Sequence, residues 1–319
     1  MNLLISMFPT VLLVATPIII AALGGLVSER SGIVNIALEG IMMVGGFTGA
    51  TVCVLLEKNA TLAPYAGWLG IVAGLLAGII YSLLLGLSTI TFKADHTIAG
   101  TALNMLAGGI TIYLCQIIFK QQRTVAFVTG ISKIKQIPVL SSIPVLGDMM
   151  FKNIYPTIFV ALVLVFVIYY IIFKTKFGLR LRSCGENPQA AASMGISVYK
   201  IRYVAVMMSG ALAGAAGAIM VLTSGIQYTI ASIHGVGFIA IAALIFGKWN
   251  PFGVLGAGIF FGFSSALGVY ASMIPVLKLL PTEFFATIPY VLTVVALIIF
   301  SGKSVGPKAA GEIYDSGKR

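Results

Sequence analysis

Few side chains in this sequence are able to do chemistry, with 9 acids, 20 basic residues and two histidines among 319 residues. Glu29 and Glu39 bracket the segment E-R-S-G-I-V-N-I-A-L-E-G, in which Asn35 stands four residues before Glu39 and shares its face if the stretch is helical. Residues 93–104 read K-A-D-H-T-I-A-G-T-A-L-N. There Asp95 or Thr97 suits a helix N-cap, and Lys93 with Asp95 suits a solvated turn. Asn104 falls about two turns inside that helix and needs a hydrogen-bond partner on a neighbouring helix, in water or on a solute. Asn35, Glu39 and Asn104 are therefore the candidates for lining a polar path. Glu39 also fits a plainer role, as a carboxylate favoured by the dipole of the helix it precedes. His96 and His234 stand alone, without Cys or carboxylate at metal-ligand spacing, so neither a metal nor another cofactor is expected. No catalytic residues emerge either, because H-E-x-x-H and G-x-S-x-G are both missing. The S-G-K-S at 301–304 is not a phosphate loop, since the position that requires glycine holds Leu297.

The elements that must position these residues are set by composition. Hydrophobic residues make up 59% and charged residues 9%, with a mean hydropathy of +1.06. A soluble enzyme, a nucleic-acid-binding domain and a disordered chain are excluded, because none keeps that much apolar surface from water. The fold class expected is an all-α polytopic membrane protein. About 20 helical residues cross a hydrocarbon core, and nine stretches qualify (8–10 as a range): residues 3–27, 40–56, 65–92, 98–119, 154–173, 203–223, 233–247, 252–273 and 284–300. Residues 40–56 and 233–247 are short, as tilted, broken or re-entrant helices would be. The N-terminus lacks the basic region of a cleavable signal, so residues 1–27 read as the first span. Cys53 and Cys115 lie in apolar segments and Cys184 in a basic loop, a distribution that gives no disulfide framework.

The net charge of +11 reads by position. Residues 174–202 carry Lys174, Lys176, Arg180, Arg182, Lys200 and Arg202 against Glu186 alone, which places this loop in the cytoplasm. Nine spans then put the N-terminus outside and the C-terminus inside, with Arg30, Lys93, Lys248 and the basic residues of the 303–319 tail on the inner face. Thirteen of the 20 basic residues fall there. The stretch 120–152 lands outside despite five basic residues, its charge being diluted over its length. Glycines four apart (Gly45 and Gly49; Gly70, Gly74 and Gly78; Gly210 and Gly214; Gly258 and Gly262) lie on single helix faces. Such faces allow close backbone packing or line a path that slides during transport.

Within the basic loop, Pro188 suits the first turn of a helix capped by Asn187 and ended by Gly195, giving about two turns. That is too short to span, and it presents Ala190, Ala191, Ala192 and Met194 as a small knob between basic arms. The knob suits either an amphipathic loop held to anionic lipid or a helix that docks into a groove on a cytosolic partner. The run G-E-N-P-Q-A-A-A-S-M-G-I between basic arms resembles the coupling segment of permease subunits in bacterial ABC importers of branched-chain amino acids, simple sugars and nucleosides. The E-R-S-G-I-V-N-I-A-L-E-G segment resembles the nucleoside-type members most. The resemblance covers nearly the whole chain, although nine spans is one fewer than the ten of related importers. It implies a permease domain over 1–302 in the bacterial cell membrane, and a coupling helix with its borders formed by Gly185, Glu186, Asn187, Pro188, Ala190, Ala191, Met194, Gly195 and Ile196. It also implies three partners: a separate ATPase subunit, a second homologous permease and an extracytoplasmic substrate-binding lipoprotein. The rival expectation is an ion-coupled secondary transporter, which would need ionisable groups well inside the spans.

Overall fold

The computed structural model describes residues 2–136, 152–270 and 306–315, together with positions 287, 288, 291, 294 and 295. The described helices are α1 (Asn2–Arg30), α2 (Leu38–Glu57), α3 (Ala66–Gly86), α4 (His96–Phe119), α5 (Thr157–Lys174), α6 (Lys176–Glu186), α7 (Pro188–Ser193), α8 (Val198–Ser224), α9 (Val236–Phe246) and α10 (Pro251–Tyr270). Seven described helices are long and apolar enough to cross a membrane, so the polytopic all-α class holds while the count of nine is not reproduced. Two expected spans account for the difference. Residues 284–300 lie mostly outside the described residues. Residues 233–247 contain only the 11-residue α9, about 16 Å long and roughly half a crossing. The other short stretch, 40–56, belongs to the full 20-residue α2. A ribbon of β1 (Ile134–Gln136) and β2 (Lys152–Ile154) pairs antiparallel with Ile134 opposite Ile154. Strands of three residues carry too little alternation to be seen in sequence.

α1, α2 and α8 are mostly buried, whereas α4 and α5 turn most of their residues outward. Large apolar side chains such as Met105, Tyr113, Phe166 and Tyr170 are exposed there, as suits a lipid-facing surface. The glycine faces explain how the inner helices approach. A Cβ at Gly45 would run into the Gly214 backbone, one at Gly78 into the Gly210 carbonyl, and one at Gly214 into the Gly74 carbonyl. α2, α3 and α8 thus meet backbone to backbone. Gly258 and Gly262 of α10 make room instead for the Ile19 and Ala15 side chains of α1. Lipid gives helices no hydrophobic reason to associate, so this close contact supplies the dispersion and Cα–H···O attraction that must hold them.

The bundle has two distinct ends. At one, the Arg30 guanidinium donates to the Trp249 carbonyl at 2.9 Å, Lys93 pairs with Asp315 at 3.0 Å, and the Gln189 amide donates to the Asp315 carbonyl at 3.0 Å. The turns holding Arg30, Lys93 and Lys248, the 174–202 segment and the tail therefore share an end, as the charge pattern required. At the far end Glu57 accepts from the Val128 amide at 2.9 Å and the Thr129 hydroxyl at 2.6 Å. Residues 124–131 are further tied to 222–228 by backbone bonds such as Phe127 to Ile226, 2.8 Å.

Candidate functional site: a buried polar belt and a helix at the basic end

Two helices begin inside the bundle rather than at its surface. After Arg30 the chain runs non-helically into the bundle before α2 starts at Leu38. α9 likewise starts about half-way down, at the left-handed Gly235 (φ +82°), a conformation that side-chain-bearing residues avoid. The two starts face one another. The Glu39 carboxylate accepts from the Gly235 amide at 2.7 Å and the Gly237 amide at 2.6 Å. A Cβ at Gly237 would strike the Glu39 backbone. Glu39 is thus the N-terminal anion of α9, where helix amides point outward without partners and the dipole favours negative charge. The plainer expectation placed that carboxylate at the start of its own helix. It does lie in the first turn of α2, but the amides it satisfies belong to a helix nearly 200 residues away.

Asn104, two turns into α4, closes the same region from the side. Its Oδ1 accepts from the Gly40 amide at 2.7 Å and its Nδ2 donates to the Ile36 carbonyl at 3.0 Å, fixing the turn into α2. Asn35 donates through Nδ2 to the Ser209 hydroxyl of α8 at 2.8 Å, while its buried Oδ1 finds no hydrogen-bond partner among the described residues. The three path candidates therefore converge on one belt at the α2 and α9 starts. Glu39 and Asn104 use both polar atoms to hold backbone there, and Asn35 keeps a free acceptor. Asn35 and Glu39 are buried, so this conformation is closed around them.

At the basic end, α7 has the local structure its sequence dictates. Asn187 caps it, accepting the Ala190 amide at 3.0 Å, and Pro188 occupies the first turn. Gly195 (φ +78°) turns the chain out, with its amide on the Ala192 carbonyl at 2.9 Å and that of Ile196 on Ala191 at 3.1 Å. The helix has six residues. Ala191 and Pro188 face inward, Ala192 is half-buried, and Gln189, Ala190 and Ser193 face out beside Met194, which is 81% exposed. Gly185 sits against the Arg30 carbonyl with no room for a side chain. The outward surface is thus Asn187, Gln189, Ala190, Ser193 and Met194, while Gly185 and Ala191 belong to its seat.

Residues 7–297 match the family described as the permease component of the branched-chain amino acid transport system. The chain is 45% identical to the guanosine ABC transporter permease protein NupQ of Bacillus subtilis (strain 168), covering 98% of this chain and 97% of that one. The chain belongs to this permease family. The permease is also 40% identical to the nucleoside ABC transporter permease protein NupC of Lactococcus lactis subsp. cremoris, over 96% of each chain. A second Bacillus subtilis guanosine permease, NupP, is 27% identical over 91% of the permease and 80% of its own length.

Several residues that organise the permease's basic end are silent in the sequence. Arg202 counts there as one more surface base, yet it is buried, donating from Nε to the Ser31 carbonyl at 3.2 Å and from Nη1 to the Glu312 carbonyl at 3.3 Å. Glu29 accepts from the Trp249 indole at 2.6 Å, locking the end of α1 to the end of α9. An apolar-to-charge boundary marks a helix end but not which distant turn it meets. Of the two expected caps of α4, Asp95 and Thr97, it is Asp95 that caps it, and the backbone amides of Ile98 and Thr97 hold its carboxyl below the usual range. His96 accepts the Val34 amide at Nδ1, 3.2 Å. The S-G-K-S at 301–304 lies outside the described residues.

Proposed function

We propose that this chain is the membrane-spanning permease subunit of an ATP-binding-cassette importer for nucleosides, with α7 as the helix that docks to a separate ATPase subunit. The observation that carries the reading is α7 itself, a capped helix outside the bundle that presents Ala190 and exposed Met194 while its inner face is seated on α6 and α8. Near-full-length similarity to two nucleoside permeases supports the solute class. Likeness to both Bacillus subtilis guanosine permeases supports a path completed by a second, homologous permease. A substrate-binding lipoprotein delivers the nucleoside on the far side. The basic end is cytosolic and carries the C-terminal tail, with the N-terminus outside, because the basic residues crowd there.

Transport follows from the two internal helix starts. ATP-driven closure of the ATPase displaces α7, and the ATPase biases the bundle because it binds one access state better than the other. The element that yields is the α2–α9 junction, where backbone amides and carbonyls at mid-depth can exchange partners as the belt opens. Asn35, whose Oδ1 has no partner among the described residues, contacts the solute, and Glu39 and Asn104 keep the two helix starts in register. An ion-coupled mechanism would need a carboxylate free to exchange a proton or sodium ion. Glu39 is held at both oxygens by α9 amides, and Asp95 caps α4 at the basic end.

Substitutions on the outward face test docking without disturbing the seat. Ala190→Trp and Met194→Asp chains should reach the membrane at normal levels, lose nucleoside uptake at least tenfold and release the ATPase on purification. Normal uptake by both would refute the docking assignment.

A further inference from the structure

The described tail, residues 306–315, lies outside α7, yet it touches several of the elements that meet at the basic end. Gly306 packs on the Trp249 indole at the end of α9. The Ala309 amide donates to the Gly185 carbonyl at 2.9 Å, at the junction into α7, and the Gly311 amide donates to the Gly32 carbonyl at 3.0 Å, in the run that leads to Asn35 and Glu39. Gly311 takes φ +82°, so the two bonds are made by a turn bent to bridge them. The Glu312 carbonyl receives buried Arg202, whose guanidinium lies 5.8 Å from the Tyr314 ring centroid. Tyr314 stacks edge-on with Tyr199 at 5.3 Å and shares a buried apolar cluster with Cys184, Ala191 and Val198. Asp315 closes the series with Gln189 of α7 and Lys93 of the α3–α4 turn.

We infer that residues 306–315 are a positioning strap that fixes α7 against the inner ends of α1, α8 and α9. Displacement of α7 then reaches the α2–α9 junction through the strap as well as through α8. The strap is needed because α7 is too small to hold its own pose. Six residues make a single capped turn and a half, and its inward face, Pro188 and Ala191, is covered in part by Tyr314. A groove of about 230 Å³ between α7 and the strap, lined by Glu186, Pro188, Lys308, Glu312 and Tyr314, leaves both edges open to a docked partner. The strap acts on α7 rather than on solute, so its loss should lower the rate of coupled transport and leave solute recognition alone. The inference rests on the docking reading of α7.

Cys184 reports the strap directly, because it is buried beneath it and burial pushes its thiol up. Ala309→Pro removes the amide that bonds Gly185, and Tyr314→Ala removes the ring, in the full chain co-expressed with its ATPase and second permease. N-ethylmaleimide labelling of Cys184, located by peptide mass spectrometry, should rise at least tenfold in both. Maximal nucleoside uptake should fall at least tenfold at unchanged half-saturation, with the ATPase still copurifying and Tyr314→Phe behaving as the parent. Cys184 exposed while uptake stays within twofold would overturn the inference, as would Cys184 remaining protected in both variants. A shift in half-saturation with unchanged maximal rate would also overturn it. Failure of the docking reading is separable, since it is read from Met194→Asp, whose strap is intact.

Discussion

Replacing Gly214 with leucine should leave no folded protein in the membrane. The α-carbon of Gly214 lies where α2, α3 and α8 come together. A single added Cβ would strike the Gly74 carbonyl and the Gly78 backbone, and the Gly214 backbone is itself what a side chain at Gly45 would hit. Overpacking usually costs about 1–3 kcal/mol when neighbouring side chains can move. Here the obstructing atoms are backbone of two other helices, so the bundle must part. The same residue type has the opposite expectation elsewhere. Gly109 on α4 and Gly256 on α10 are exposed, with nothing among the described residues within 4 Å of an added Cβ. Gly109→Leu and Gly256→Leu should be neutral, or stabilising by up to about 1 kcal/mol through helix propensity. Membrane levels and the melting of detergent-solubilised protein check both sides of the comparison. A Gly214→Leu chain as abundant and as heat-stable as the parent would show that the three-helix contact is not made.

The second large effect is expected at Glu39. Alanine there strips the Gly235 and Gly237 amides of their acceptor in a buried site. A buried unsatisfied donor costs about 1–3 kcal/mol each. It also removes the carboxyl group that, among the described residues, faces the start of α9, where a dipole interaction adds about 0.3–1 kcal/mol when the group is charged. Uptake of nucleoside by Glu39→Ala should fall a hundredfold or more, because α9 loses its register against α2. Glu39→Gln keeps an acceptor for one amide but sets its NH2 against the other, so it should fall between. Glu39→Asp is too short to reach both amides and should resemble Gln more than Glu. Uptake assays at matched membrane levels decide this, and an Ala variant with near-normal uptake would mean that the α2–α9 junction does not govern transport.

What the sequence makes legible here depends on how local the cause is. The cap, proline and glycine around α7 are settled by residues within eight positions of one another, and Asn187, Pro188 and Gly195 take the roles their types dictate. The glycine faces are equally readable, since a four-residue spacing can mean only one face of a helix, although which helix meets which is a tertiary fact. The convergence of Asn35, Glu39 and Asn104 follows from the cost of polar groups among apolar helices. Their partners are not legible: Glu39 meets backbone amides, and amides have no sequence signature. The half-length α9 shows in sequence only as a short apolar stretch, preceded by the mixed polar and apolar run G-I-Q-Y-T-I-A-S-I-H-G. Arg202 and Tyr314 were hidden for the reverse reason. A basic residue in a basic loop and an aromatic in a polar tail look like ordinary surface, and only the strap of carbonyls and rings around the guanidinium makes them interior.

The most direct test of the permease account is uptake of radiolabelled nucleoside into proteoliposomes holding this chain, its ATPase and a second permease, with the binding lipoprotein supplied outside. Accumulation is expected only when ATP is present on the ATPase side and every subunit is included, unchanged when proton and sodium gradients are collapsed. Uptake by this chain alone, driven by an ion gradient without ATP, would contradict it.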